Sequence, residues 1–179
     1  MTTRVLAISG SLRAASHNTQ LLRLAQEHAP DGVEILIWDG LAEMPAYNED
    51  LEVDPGEAVD GLRALLSDVD ALLIATPEYN FGVPGALKNA LDWVVGSGEL
   101  IDKPVALINA SARATHAYAS LRETLTTMSG RLIDAASITI PLDGTGLDAT
   151  GIVNDPSLSA TLSAAIAALV DGPSDRQRT

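Results

Sequence analysis

The chain contains no cysteine. Disulfides, thiolate nucleophiles and cysteine-ligated zinc or iron–sulfur centres are therefore excluded, and any redox chemistry has to come from a bound cofactor. Aromatic residues are scarce: two tryptophans, three tyrosines and one phenylalanine in 179 residues. Bases are outnumbered as well. Eleven lysines and arginines stand against 24 aspartates and glutamates, a net charge of −13. That balance argues against nucleic-acid binding, which needs a basic face to displace counterions. No apolar run approaches the roughly 20 residues that cross a bilayer, so no membrane contact is expected. Met1-Thr2-Thr3-Arg4 leads directly into a strand pattern without the apolar stretch of a secretion signal, and a cytoplasmic location is the expectation. The three histidines, His17, His28 and His116, are scattered, with none of the spacing that a metal site requires.

The acidic residues are unevenly placed. Twelve lie between Asp31 and Asp70, where the single base is Arg63. A solvated acidic face is the ordinary reading of such a stretch, and a docking surface for a basic partner is the other.

Strand and helix patterns alternate along the chain, as in an α/β fold with a parallel sheet. Apolar runs at Val5–Ile8, Val33–Trp38, Ala71–Ala75, Pro104–Ile108 and Leu132–Ile140 predict five strands. Ala71-Leu72-Leu73-Ile74-Ala75 is apolar throughout, which suits a strand covered on both faces. Helical spacing predicts helices over about Asn18–Ala29, around Leu62–Val69, from Pro84 to Val95, from Tyr118 to Met128 and from Leu158 to Val170. The expected organisation is one domain over 1–172 and a flexible tail over 173–179. In such sheets ligands bind beyond the carboxyl ends of the strands, so the loops after the first, third and fourth strands are the candidate sites.

The first of these loops runs Ser9-Gly10-Ser11-Leu12-Arg13-Ala14-Ala15-Ser16-His17-Asn18-Thr19 and leads into a helix. A helix N-terminus presents free N–H groups and a positive partial charge to an anion. Gly10 permits a tight turn, Ser11, Ser16, Asn18 and Thr19 offer hydrogen bonds, and Arg13 adds a fixed charge. The segment is neither the dinucleotide turn nor the triphosphate loop. Ser16 or Asn18 acting only as a helix cap is the plain alternative. The second loop is Thr76-Pro77-Glu78-Tyr79-Asn80-Phe81-Gly82-Val83-Pro84-Gly85. It holds two of the six aromatic residues in a stretch stiffened by prolines, as suits the edge of a flat heterocycle. A proline-stiffened loop with an aromatic plug is the competing reading.

Taken together, these segments resemble a known family. Gly10-Ser11-Leu12-Arg13-x-x-Ser16-x-Asn18-Thr19, and the long motif from Thr76-Pro77-Glu78-Tyr79-Asn80 through Pro84-Gly85 to Leu87-Lys88-Asn89-Ala90-Leu91-Asp92-Trp93, are similar to the NADPH-dependent FMN reductases, which include quinone, chromate and azo-dye reductases. Met44-Pro45-x-Tyr47-Asn48-Glu49-Asp50 resembles the same family's segment after the second strand. The resemblance spans about Arg4 to Ile140. It implies a flavodoxin-like three-layer sandwich with a five-stranded parallel sheet in the order 2-1-3-4-5. It further implies non-covalent FMN, NADPH or NADH as co-substrate, a small acceptor such as a quinone, free flavin, azo dye or metal oxyanion, and a homodimer or tetramer. By the same resemblance Ser11, Arg13, Ser16, His17 and Asn18 would surround the phosphate. Pro77, Glu78, Tyr79 and Asn80 would line the ring and ribityl chain, Ser111 would lie near the ring, and the Lys88–Trp93 helix would belong to the dimer contact. No side chain is expected to act as a nucleophile. The alternative is a flavin-free or electron-carrier protein of the same fold acting through protein partners. The chain departs from the family after its fourth strand: Asn109-Ala110-Ser111-Ala112-Arg113-Ala114-Thr115-His116-Ala117-Tyr118 has no glycine where the family usually has several. Cβ atoms at that edge would alter the space and hydrogen bonding offered to the flavin.

Overall fold

The computed structural model describes residues 2–171; the expected tail at 173–179 lies outside the described residues. Strands β1 (Thr3–Ser9), β2 (Val33–Trp38), β3 (Ala71–Ala75) and β4 (Pro104–Asn109) alternate with helices α1 (His17–Glu27), α2 (Glu57–Asp68), α3 (Gly85–Val95) and α4 (Thr115–Thr127). The sheet is parallel throughout, in the order β2-β1-β3-β4, with the last strand beyond β4. Successive side chains of a strand point to opposite faces. Val5 and Ala7 of β1 accordingly pack with Leu21, Leu22 and Ala25 of α1, while Leu6 and Ile8 pack with Leu62 and Leu66 of α2 and with Leu87 and Leu91 of α3. All five residues of β3 are buried. Fully burying a leucine or isoleucine stabilises by about 1.5–3 kcal/mol, so the two apolar layers fix which face each helix covers.

Two elements differ from expectation. The fifth strand, expected from Leu132 to Ile140, is broken into β5 (Arg131–Leu132) and β6 (Ile138–Thr139), both paired with β4 around a 3-10 turn at Asp134–Ala136. Where the turn leaves the sheet, the Leu107 N–H donates to Ser137 Oγ at 3.2 Å, so a side chain replaces the missing strand partner. The last helix, expected from Leu158 to Val170, is found whole, and a short helix that was not expected precedes it. The short one is α5 (Ala149–Val153), capped by Asp148 through the Gly151 N–H, and the long one is α6 (Pro156–Asp171). The long α6 lies on the α1 side of the sheet, where Leu162, Ile166 and Leu169 join its core.

Candidate functional site

The carboxyl ends of β1, β3 and β4 meet at a cleft of about 380 Å³. Gly10 brings the first loop close to the third strand: its N–H donates to the Ala75 carbonyl at 2.8 Å. A Cβ at this position would sit 2.8 Å from Thr76 Cβ and 3.0 Å from Leu87 Cδ2. The φ of Gly10 is not positive. Close approach, and not an unusual turn, is what requires glycine here.

Beyond Gly10 the loop places Ser11, Arg13, Ser16, His17 and Asn18 along one wall of the cleft. Ser16 occupies the N-cap of α1, but its side chain makes no capping bond, so the capping alternative does not account for its hydroxyl. Ser16 and Asn18 are buried, at 4% and 6% exposure, and Asn18 Oδ1 has no hydrogen-bond partner. A buried carbonyl oxygen left unpaired is costly, by about 1–3 kcal/mol, and being an acceptor it calls for a donor; the group of Asn18 that can serve an anion is Nδ2.

The second loop supplies Pro77, Glu78 and Tyr79 to the facing wall. The hydroxyls of Tyr79 and Ser11 lie 3.4 Å apart, so the two motifs separated by 68 residues in sequence do converge. Asn80 is exposed and does not line the cleft. With Phe81 it forms the two central positions of a tight turn, at φ 50° and 61°, closed by paired bonds between Tyr79 and Gly82 at 3.0 Å. A bulky residue in this left-handed region is unusual, since such turns favour glycine or asparagine. The Phe81 ring is 75% exposed and meets His116 edge-on, with centroids 5.2 Å apart.

The Glu78 carboxylate turns away from the first loop. The Ala117 N–H in the first turn of α4 donates to Glu78 Oε2 at 2.8 Å. The N-cap residue of α4 is Ala114, which has no side chain to close the cap. Glu78 therefore caps α4 from another loop, a use that its sequence position does not suggest. Replacing Glu78 with alanine should lower stability to denaturant by about 1–2 kcal/mol, and glutamine, which keeps an acceptor oxygen, should recover more than half of the loss. Equal losses for both variants would show that the cap is not what Glu78 contributes.

The glycine-free segment after β4 forms the third side of the cleft through Ser111 and Arg113. None of its residues has a positive φ, so its side chains impose no backbone strain and glycine is not needed for its path. Buried Asn109 staples it: Nδ2 donates to the Ala114 carbonyl at 3.2 Å and Oδ1 accepts from the Ser111 N–H at 3.1 Å. The Ser111 hydroxyl donates to the carboxylate of Asp143, which also pairs with Arg113 at 3.5 Å. The Ser111 hydrogen bond, then Arg113, holds the Asp143 carboxyl below its ordinary range, against a smaller opposing effect of burial. A depressed carboxyl of this kind strengthens its contacts above the ordinary aspartate pKa and loses that contribution only as pH falls through the depressed value. Thr76, Asn109 and Asp143 line the cleft but were not expected there. The available signal for Asn109 was a polar residue ending an apolar strand, and for Asp143 the Asp143-Gly144 turn after the last strand.

The Lys88–Trp93 motif also ties the chain to itself. Asn89 Oδ1 accepts from the Tyr47 N–H, and Asn89 Nδ2 and Trp93 Nε1 both donate to the Pro45 carbonyl, each at 2.8 Å. Trp93 is 1% exposed and stacks edge-on with Tyr47 at 5.1 Å. These residues clamp the chain's own segment after β2. The outer side of α3 is left to Lys88, Asp92 and Val95, which border a groove against Ser120, Thr124 and Thr127 of α4.

The sequence pattern of the NADPH-dependent FMN reductases matches residues 3–143. The chain is 37% identical over 158 residues to an NAD(P)H-dependent FMN reductase of Pseudomonas aeruginosa, covering 85% of each. It is 33% identical over 157 residues to a 2-hydroxy-1,4-benzoquinone reductase of a Burkholderia species, covering 84% of this chain and 85% of the other. Among solved structures, a flavoenzyme NAD(P)H:(acceptor) oxidoreductase from Paracoccus denitrificans superposes with a TM-score of 0.82 at 31% identity, over 95% of this chain and 96% of the other.

Proposed function

This chain belongs to the NADPH-dependent FMN reductase family, and from that premise we propose that its cleft holds FMN and serves electron transfer from NAD(P)H to a small quinone-type acceptor. The observation that carries the reading is the convergence of two unlike walls on one cleft. One wall carries the hydroxyls of Ser11 and Ser16, the amide of Asn18 and the guanidinium of Arg13; the other is proline-stiffened and carries an exposed tyrosine ring.

FMN, when bound, supplies the chemistry itself, accepting a hydride from the nicotinamide and returning two electrons to the acceptor. The chain's own residues bind and orient. In this reading Ser11, Ser16 and Asn18 Nδ2 donate to the phosphate, with Arg13 supplying positive charge at the N-terminus of α1 and His17 a ring N–H. Pro77 and Tyr79 flank the ring, and Ser111 bounds its far edge. The Tyr79 N–H is committed to the Gly82 carbonyl and is not available to a flavin. Glu78 keeps the walls in place through its cap on α4. No metal cluster of His, Asp and Glu exists among the described residues, and none is invoked.

We further propose that the chain works in the cytoplasm as a homodimer or tetramer. The groove between α3 and α4, with Val95 48% exposed, supports the oligomer. Among the described residues no helix is long and apolar enough to cross a membrane. An electron carrier acting only through protein partners is the weaker reading, because the relatives that match over most of the chain are named as reductases.

The test is spectroscopic. Purified protein supplied with FMN should show protein-bound flavin bands that bleach on addition of NADPH or NADH under argon and return on addition of a quinone. Protein that takes up no flavin, or whose flavin stays oxidised with both nucleotides, overturns the proposal.

A further inference from the structure

We infer that Arg113 is a binding contact for a phosphate group of the incoming nicotinamide nucleotide. This rests on the reading of the cleft as an FMN site.

A nicotinamide dinucleotide is an anion, and this chain carries a net charge of −13. Approach against such a field depends on local positive charge at the mouth of the site. The cleft's carboxylates are already engaged: Glu78 with the Ala117 N–H, and Asp143 with the Ser111 hydroxyl. Its arginines lie on different loops. Arg13 lies on the loop after β1, where the FMN phosphate is assigned. Arg113 lies across the cleft on the loop after β4.

The environment of Arg113 suits a ligand that arrives and departs in each cycle. Its side chain is 83% exposed, and its pair with Asp143 is long, at 3.5 Å. An exposed pair at that distance restrains a guanidinium only weakly. The base of the residue is nevertheless fixed, because its N–H donates to Ser111 Oγ at 3.2 Å. The result is a planar donor fork on an anchored stem at the edge of the cleft, a geometry matched to two phosphate oxygens. Two sources of phosphate are possible in the donor: the pyrophosphate shared by NADH and NADPH, and the 2′-phosphate of NADPH alone.

The experiment uses FMN-loaded wild-type protein, Arg113→Gln and Arg113→Glu. Binding of NADP+ and NAD+ is measured by calorimetry, without turnover, alongside KM for NADPH and NADH and the affinity for FMN. Arg113→Gln should raise the Kd for NADP+ by about fivefold to tenfold, and Arg113→Glu by more, with parallel changes in KM. FMN affinity should fall by less than the affinity for the nucleotides, since the FMN phosphate is assigned to the other loop. Weakening confined to the NADP(H) arm identifies the 2′-phosphate, and equal weakening of both arms identifies the pyrophosphate; both results support the inference. Unchanged Kd values in FMN-loaded variants, or a loss of FMN affinity in place of nucleotide affinity, overturn it. A wild-type protein that takes up no FMN would instead overturn the reading of the cleft on which the inference rests.

Discussion

Replacing Gly10 with alanine should destabilise the protein by about 2–3 kcal/mol and weaken FMN binding by at least about tenfold. The new methyl group would lie 2.8 Å from Thr76 Cβ and against the Thr76 hydroxyl, with Leu87 Cδ2 at 3.0 Å. Both neighbours are buried, Leu87 fully so, and Thr76 Cβ is bonded to the backbone, so side-chain rotation alone cannot move it away. Relief has to come from the backbone, by moving the β1 loop away from the end of β3. That movement breaks the Gly10 N–H bond to the Ala75 carbonyl and separates Ser11 from Tyr79. Stability and ligand affinity should therefore fall together. Urea denaturation of the flavin-free protein reads the first effect, and FMN titration the second. A Gly10→Ala protein with wild-type stability would mean that the close packing of this loop is not as described.

The second large effect is expected from the double variant Ser11→Ala/Arg13→Ala, whose affinity for FMN should fall by about 100-fold. A hydrogen bond to a charged group is worth about 1.5–3 kcal/mol. Arg13 is exposed, so its share falls at the lower end, and the pair together should remove close to 3 kcal/mol. Ser11 also shapes its own loop, because Ser11 Oγ accepts from the Arg13 N–H at 3.3 Å. Riboflavin separates these roles, since it carries the same ring without the phosphate. If the two side chains act on the phosphate, riboflavin affinity should change by less than about threefold in the variant. Equal losses for FMN and riboflavin would assign Ser11 and Arg13 to general loop structure.

Much of this arrangement was legible in the sequence, for reasons that can be stated. β1 and β3 are apolar because helices cover them on both sides, and a strand buried in that way has no polar alternation to obscure it. The loops after β1 and β3 stood out because hydroxyls, an arginine, prolines and two scarce aromatics have no reason to gather where only packing is needed. Gly10 was singled out for tightness of turn, whereas its φ is ordinary and the close passage under Thr76 is what excludes a side chain.

Less was legible wherever the partner of a residue is remote. Glu78 lies in the expected loop, yet its acceptor role depends on a helix that begins 37 residues later and lacks a cap of its own. Asn89 and Trp93 form part of a recognisable motif, but its meaning emerges only where Pro45 and Tyr47 meet them. Asp143 enters the cleft because β5 and β6 break around Asp134–Ala136 and the chain returns at Ile140, whose N–H donates to the Asn109 carbonyl. Local periodicity contains no record of that interruption, because Ser137 satisfies the Leu107 N–H in place of a strand neighbour. The missing glycines after β4 suggested Cβ atoms against the flavin edge; the segment itself follows an ordinary backbone path held by Asn109 and Asp143. The difference lies in the groups presented at the rim, chiefly Arg113.

The central claim is that the loop after β1 reads a phosphate while the loops after β3 and β4 enclose a ring. The most direct measurement is the affinity of the flavin-free wild-type protein for FMN and for riboflavin, titrated side by side by flavin fluorescence. Binding of FMN at least about 100-fold tighter than riboflavin is the predicted result. Equal affinities would contradict it, because the hydroxyls, the amide of Asn18 and the charge of Arg13 would then have no phosphate to hold.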